Sequence, residues 1–240
     1  MGACLNCNQP LTGKYCANCG QSGNVGRLTT PQLLSDAFAH WFNFDSQVFR
    51  TVKQLTLNPG GTSLSYITGQ RVSYVPPFRY FLVNLALLIL LQRSIGLGVE
   101  SISQEWTDSL GHQAIQTEMV RFLSSYQNLL IAAALPFFAA CVWIFFRRSG
   151  HTYAEVMACV LYVMGHLFLL NMVLVLIFRT HISGYVAARS ALQAIFYVWA
   201  FRKFFQQSMF ATVIKSILAL AAYFASITLI AVVVVVAIIL

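Results

Sequence analysis

The sequence predicts an all-α polytopic membrane protein of about five transmembrane helices, preceded by an interfacial amphipathic helix and a small cysteine-bearing N-terminal segment. Three observations predict this class. Of the 240 residues, 58% are hydrophobic and 9% charged, against about 25% charged in a soluble domain. Apolar stretches near the roughly 20 residues that span a bilayer recur through the last two thirds of the chain. The formal net charge of +8 comes from Lys and Arg spread between those stretches. That distribution suits membrane topology and anionic headgroups and disfavours nucleic acid, which would call for clustered basic residues. No signal-peptide pattern opens the chain, because the first apolar run lies far downstream.

Residues 1–27 form the first unit. They are polar and could build no apolar core of their own. They carry Cys4-Leu5-Asn6-Cys7 and Cys16-Ala17-Asn18-Cys19-Gly20, two C-x-x-C pairs with eight residues between them. A C-x-x-C turn aims two sulfurs at one metal, and two such turns close a tetrahedral four-thiolate set, a zinc-ribbon-like knuckle. Gly20 suits the tight backbone after the second pair. Zn2+ bound by Cys4, Cys7, Cys16 and Cys19 would be structural, because four cysteines leave no open coordination position. Iron in a rubredoxin-like set and redox-active thiols are the alternatives. Cys141 and Cys159 stand alone in apolar spans and read as small core residues. No internal repeat or low-complexity linker is evident.

Residues 28–77 form the second unit. Thr30-Pro31 reads as a helix start, with Thr as N-cap. Leu34, Phe38, Trp41, Val48, Val52 and Leu55 follow at helical spacing, with Asp36, His40, Asn43, Gln47, Arg50 and Lys53 largely off that stripe. One amphipathic helix, ending near Asn58-Pro59-Gly60-Gly61, would lie at the membrane interface or pack on the bundle. A connector over 62–77 follows, with a helical turn expected at Ser65 to Gly69. Pro76-Pro77 would stop one helix and launch the next.

Residues 78–240 form the third unit, with spans expected at about 78–97, 129–146, 154–178, 185–205 and 214–240. Gln92 and Arg93 end the first span, Pro136 would kink the second, and Arg189 lies near the start of the fourth. The long connection over 98–126 holds Glu100, Glu105, Asp108 and Glu118, and His112 to Tyr126 could form a surface helix. Arg71, Arg79, Arg147, Arg148, Arg202, Lys203 and Lys215 fall on one side of such a layout. Arg93, Arg121, Arg179 and Arg189 fall on the other, with most of the acidic residues. The N-terminus is therefore expected in the cytoplasm and the C-terminus outside.

Polar groups inside spans are functional candidates. Asn84 lies in the first span; Glu155, His166 and Asn171 lie in the third. They could line a pathway or a site, or they could join helices by hydrogen bonds. Glu155 could pair with Arg147 or Arg148 at headgroup level. The chain has no G-x-S-x-G, no H-E-x-x-H, no phosphate loop and no paired carboxylates within a span, so no known catalytic constellation is recognised.

The stretch from Cys4 to Pro77 resembles a bacterial membrane-protein family of unknown function. The matching motifs are the double C-x-x-C followed by Gly20-Gln21, then Phe44-Asp45-Ser46 ahead of Thr51, then Pro59-Gly60. A Tyr66-Ile67-x-Gly69-Gln70-Arg71-x-x-Tyr74-x-Pro76-Pro77 signature completes the set. The family carries a Glu-His pair at the start of the third span, where this chain has Glu155 and Val156. The resemblance implies zinc, embedding in the inner (cytoplasmic) membrane and no established activity.

Three functions compete at this point. One is a zinc-stabilised scaffold or adaptor that recruits a cytoplasmic protein partner through the knuckle. Another is an oligomeric transporter or channel using Asn84, His166 and Asn171. The last is a lipid-active enzyme using Glu155 and His166. The bilayer is a partner in each, and the protein could form a homo-oligomer.

Overall fold

A computed structural model describes residues 2–38, 45–95, 132–178 and 182–239. Among them the chain forms eight α-helices: α1 (Thr30–Phe38), α2 (Asp45–Leu57), α3 (Pro59–Ile67), α4 (Pro77–Ser94), α5 (Leu135–Phe145), α6 (Tyr153–Ile177), α7 (Ile182–Phe205) and α8 (Met209–Ile239). A short 3-10 turn, Arg147–Ser149, joins α5 to α6. The acidic connection over 98–126 and the surface helix expected at 112–126 lie outside the described residues, as do His40, Trp41 and Asn43.

The central element is α6, where every residue from Ala154 to Phe168 is buried. A helix apolar all round belongs at the centre of a bundle. Its neighbours follow from the contacts they make. Tyr162 donates to the Val75 carbonyl just before α4, Tyr80 meets His166, and Phe81 meets Phe168, so α4 runs parallel to α6. On the other flank His151 stacks on Phe204, Tyr197 meets Met164, and Phe196 stacks on His166, so α7 runs antiparallel. Phe138 meets Tyr197 and Phe146 meets Phe205, which sets α5 along α7. Lys215 lies over Phe146 while Tyr223 meets Phe138, so α8 runs back against α5. Successive helices from α4 to α8 thus alternate in direction.

By length and composition, Tyr153–Ile177 qualifies as a membrane-crossing helix. Gly184–Phe205 and Met209–Tyr223, bent by 118° at their break, would supply a second if taken as one span. Among the described residues, one or two candidate spans therefore stand where five were expected. The physical reasons are local. Arg79, Asn84, Gln92 and Arg93 dilute the 18 residues of α4, and α5 has only 11 residues. Pro136 lies in the first turn of α5, just after a break at Ala134 that follows helical residues 132–133.

The expected single amphipathic helix is at least two helices, α1 and α2, and the Pro-Gly-Gly stretch does not end in a loop. Asn58 caps α3, its Oδ1 accepting from the Gly61 N–H at 3.2 Å, with Pro59 in the first helical position. The turn expected at 65–69 is the last part of this helix, and the connector shrinks to a loop over 68–76. Gly60 is where it is because α3 touches α7. A Cβ there would lie 2.1 Å from the Ala200 carbonyl oxygen and 2.7 Å from the Phe204 nitrogen. Gly165 plays the same part between α6 and α4, where a Cβ would lie 2.9 Å from Phe81 Cα. Close backbone approach at small residues is the usual packing device of apolar bundles.

Candidate metal centre

The N-terminal segment is built from two copies of one small motif. In the first, the Cys4 N–H donates to the Gln9 carbonyl, the Asn8 N–H to Cys4, and the Leu11 N–H to Gly2. In the second, the Cys16 N–H donates to Gln21, the Gly20 N–H to Cys16, and the Gly23 N–H to Lys14. Isolated bridges Ala3–Pro10 and Tyr15–Ser22 close the two turns. The left-handed positions also correspond, Asn8 at φ 60° and Gly20 at φ 72°, where Asn and Gly are the residues that adopt such a φ most readily. The repeat is legible after the fact as Cys-x-Asn-Cys-x-Gln, present at 4–9 and again at 16–21. It corrects the expectation of no internal repeat.

The two turns bring all four sulfurs within 4.8 Å of one another. Cys4 Sγ lies 3.6 Å from Cys19 Sγ, and Cys7 Sγ lies 3.5 Å from Cys16 Sγ. A tetrahedron with metal–sulfur bonds of about 2.3 Å has sulfur–sulfur edges of about 3.8 Å. The cysteines are free thiols, and their separations suit a shared metal. Each turn also sets its Asn near a sulfur of the other, Asn6 by Cys19 and Asn18 by Cys7, where each favours the thiolate. The Gln9 backbone N–H holds the Cys7 thiol down at about 6, while burial pushes Cys19 up to about 11. Metal entry must displace the proton of the higher thiol, so affinity falls as pH is lowered. This four-cysteine cluster could bind an ion such as zinc, and its donor set leaves no room for a substrate.

The knuckle does not float free. Asn6 Oδ1 accepts the Ser73 N–H at 3.2 Å, and the buried Gln21 accepts the Val72 N–H at 3.1 Å. Leu5 packs on Gly69, whose φ of 124° and whose missing side chain are both required there. Arg71 donates to the Gly26 carbonyl at 2.8 Å. From below, Thr51 is fully buried; its Oγ1 donates to the Gln47 carbonyl and accepts the Val75 N–H at 3.0 Å. Gln47 Nε2 donates to the Val72 carbonyl. Tyr66 donates to Asp36 and meets Tyr162 edge-on, Tyr74 is buried, and Pro76 precedes the first turn of α4. The signature thus runs from the end of α3 into a loop held between the knuckle, α2 and α6. Asp45 opens α2, and Pro59 and Gly60 open α3, the helices that support it.

Residues 45–89 match a family described as a protein of unknown function (DUF3667). The matched stretch covers α2, α3, the clamped loop and most of α4, and the four cysteines lie outside it. No curated protein and no solved structure matches the chain.

The polar residues Asn84, Glu155, His166 and Asn171 are placed separately. Glu155 closes a capping box at the start of α6: the Thr152 N–H donates to its Oε2 and its own N–H donates to Thr152 Oγ1. Its carboxylate is gripped by Arg27, at 2.6 Å from Nε and 3.0 Å from Nη2, with His151 at 3.4 Å. The partner is therefore Arg27 rather than Arg147 or Arg148; Arg147 lies over Trp143. Arg27 also donates to the Gly150 carbonyl, fixing the knuckle's trailing segment to the α5–α6 turn.

His166 is fully buried, eleven residues or about 16 Å of helical rise beyond Glu155, so the two do not converge. Thr56 spends its hydroxyl proton on the Val52 carbonyl, so it accepts from His166 Nε2 at 3.1 Å. In the neutral imidazole, Nδ1 is then left to accept from Tyr80 at 2.9 Å. The ring stacks on Phe196. His166 thus ties α2, α4, α6 and α7 together. Tyr80→Phe is expected to leave Nδ1 buried without a donor and to cost about 1–3 kcal/mol, read as a lowered midpoint of thermal unfolding in detergent. Asn84 donates to the Tyr80 carbonyl of its own helix. Asn171 is buried, and its Oδ1 has no partner among the described residues.

Proposed function

We propose that this protein is a zinc-stabilised integral membrane scaffold of the inner (cytoplasmic) membrane, which recruits a cytoplasmic protein partner through its knuckle. The observation that carries this reading is the closed four-thiolate cluster docked at one end of an apolar helical bundle. A closed site supports binding rather than chemistry. Zn2+ is the favoured ion, because a four-thiolate tetrahedron is its common structural set.

Five spans, α4 to α8, fit the alternating helix directions. Large apolar side chains such as Leu90, Ile144, Ile177, Ile195 and Ile217 are exposed on these helices, which suits lipid contact. The knuckle, through Arg27, shares its end of the bundle with Arg147 and Arg148 and, across the His151–Phe204 stack, with Arg202 and Lys203. Basic residues gather on the cytoplasmic side. This supports a cytoplasmic N-terminus and an external C-terminus. On α2, Phe49 and Leu57 are exposed beside Arg50 and Lys53, a pairing suited to the headgroup region of the bilayer.

The unpartnered Asn171 oxygen is the one feature that favours the oligomeric transporter or channel, since a second copy or a water path could satisfy it. The adaptor reading is tested by in-cell crosslinking from Tyr15, which is 67% exposed on the knuckle. A discrete protein adduct that disappears in Cys4→Ser is expected. The same adduct in both chains, or none in either, contradicts recruitment by the folded knuckle.

A further inference from the structure

The two C-x-x-C turns themselves clamp the signature loop. Asn6 stands between Cys4 and Cys7, and its Oδ1 accepts the Ser73 N–H at 3.2 Å. Gln21 stands two residues after Cys19, and its Oε1 takes the Val72 N–H while its backbone carbonyl takes the Cys16 N–H. Leu5, between Cys4 and Asn6, fills the space over Gly69. Each tie from residues 4–21 to the loop therefore comes from the C-x-x-C turns or the residue just after them. These turns have too little apolar core to persist without the ion.

We propose that the metal centre is a latch on the 69–73 loop: with the ion bound, Asn6 and Gln21 hold the Val72 and Ser73 backbone, and ion loss releases it. The inference rests on the zinc reading above and adds a consequence for the membrane body. The released segment is the one that Thr51 ties to α2 at Val75 and that Tyr162 ties to α6. Occupancy of the thiolate site is thereby reported to the bundle through backbone hydrogen bonds. Asn6 is a positioning residue in this scheme, not a metal ligand.

The test is hydrogen exchange on the full chain in lipid nanodiscs, zinc-loaded and chelator-stripped, with zinc content measured on each sample. Stripping is expected to speed exchange at Val72 and Ser73 by about tenfold, the equivalent of one ordinary hydrogen bond. Val75, held by Thr51, should change less. Asn6→Ala and Gln21→Ala, each with four cysteines intact and one zinc per chain, should speed exchange at Ser73 and Val72 respectively without stripping. If zinc binds and leaves but Val72 and Ser73 exchange at one rate, the latch is overturned while the metal site stands. If the intact chain holds no zinc, the metal reading falls and takes the latch with it.

Discussion

Cys16→Ala is expected to abolish stoichiometric zinc binding and unfold residues 2–26 while leaving the helical bundle intact. Cys16 is buried at the cluster and its backbone N–H closes the second turn. Three thiolates still attract zinc, but the fourth corner then opens to water and the edge between Cys7 and Cys16 is lost. In zinc-finger peptides the ion contributes on the order of 10 kcal/mol or more to folding. Little else holds this segment. Among its residues up to Gly26, only Cys4, Cys16 and Gln21 are buried. The bundle stands on its own contacts around α6, so its helical circular dichroism should persist. Faster tryptic cleavage at the exposed Lys14, with unchanged helical signal, is the readout; equal cleavage rates in variant and parent would show that the ion does not hold the knuckle.

Gly60→Val is expected to be the most damaging single substitution in the bundle. The new Cβ would meet backbone atoms of Ala200 and Phe204, which no rotamer change can move aside. Helix α3 would have to retreat from α7, taking with it Tyr66 and its edge-on contact with Tyr162. Overpacking typically costs about 1–3 kcal/mol, and a clash with backbone falls at the upper end of that range, or about 6–12 °C in unfolding midpoint for a chain of this size. Gly61→Ala is the natural control. Its Cβ would press on the Asn58 side chain, which can swing away at the cost of the cap, about 1 kcal/mol. Equal midpoints for the two variants would refute the close approach of α3 and α7.

The sequence shows the cysteine set plainly, because C-x-x-C spacing acts locally and needs no knowledge of the rest of the chain. The central helix was also legible, since Ala154 to Phe168 is apolar apart from Glu155 and His166. The clamp was not. Its polar groups are ordinary residues at unremarkable spacings, Asn6, Gln21, Arg27 and Thr56, and their partners lie far off in sequence at Ser73, Val72, Glu155 and His166. The Cys-x-Asn-Cys-x-Gln repeat was the available signal for Asn6 and Gln21, and the cysteines drew attention from it. Pro59-Gly60-Gly61 misled for a related reason. Glycine suggests a break when only local propensity is weighed, whereas here the first turn of a helix needs it to touch another helix. His166 stands out in the sequence as a polar residue within an apolar stretch, but its two nitrogens are engaged by helices that no helical period would bring together.

A closed four-thiolate zinc centre built by Cys4, Cys7, Cys16 and Cys19 has a definite signature in X-ray absorption at the zinc edge, measured on the full chain purified from membranes. One zinc per chain is expected, with four sulfur neighbours at about 2.3 Å. A shell containing nitrogen or oxygen, iron in place of zinc, or a chain without bound metal would contradict it.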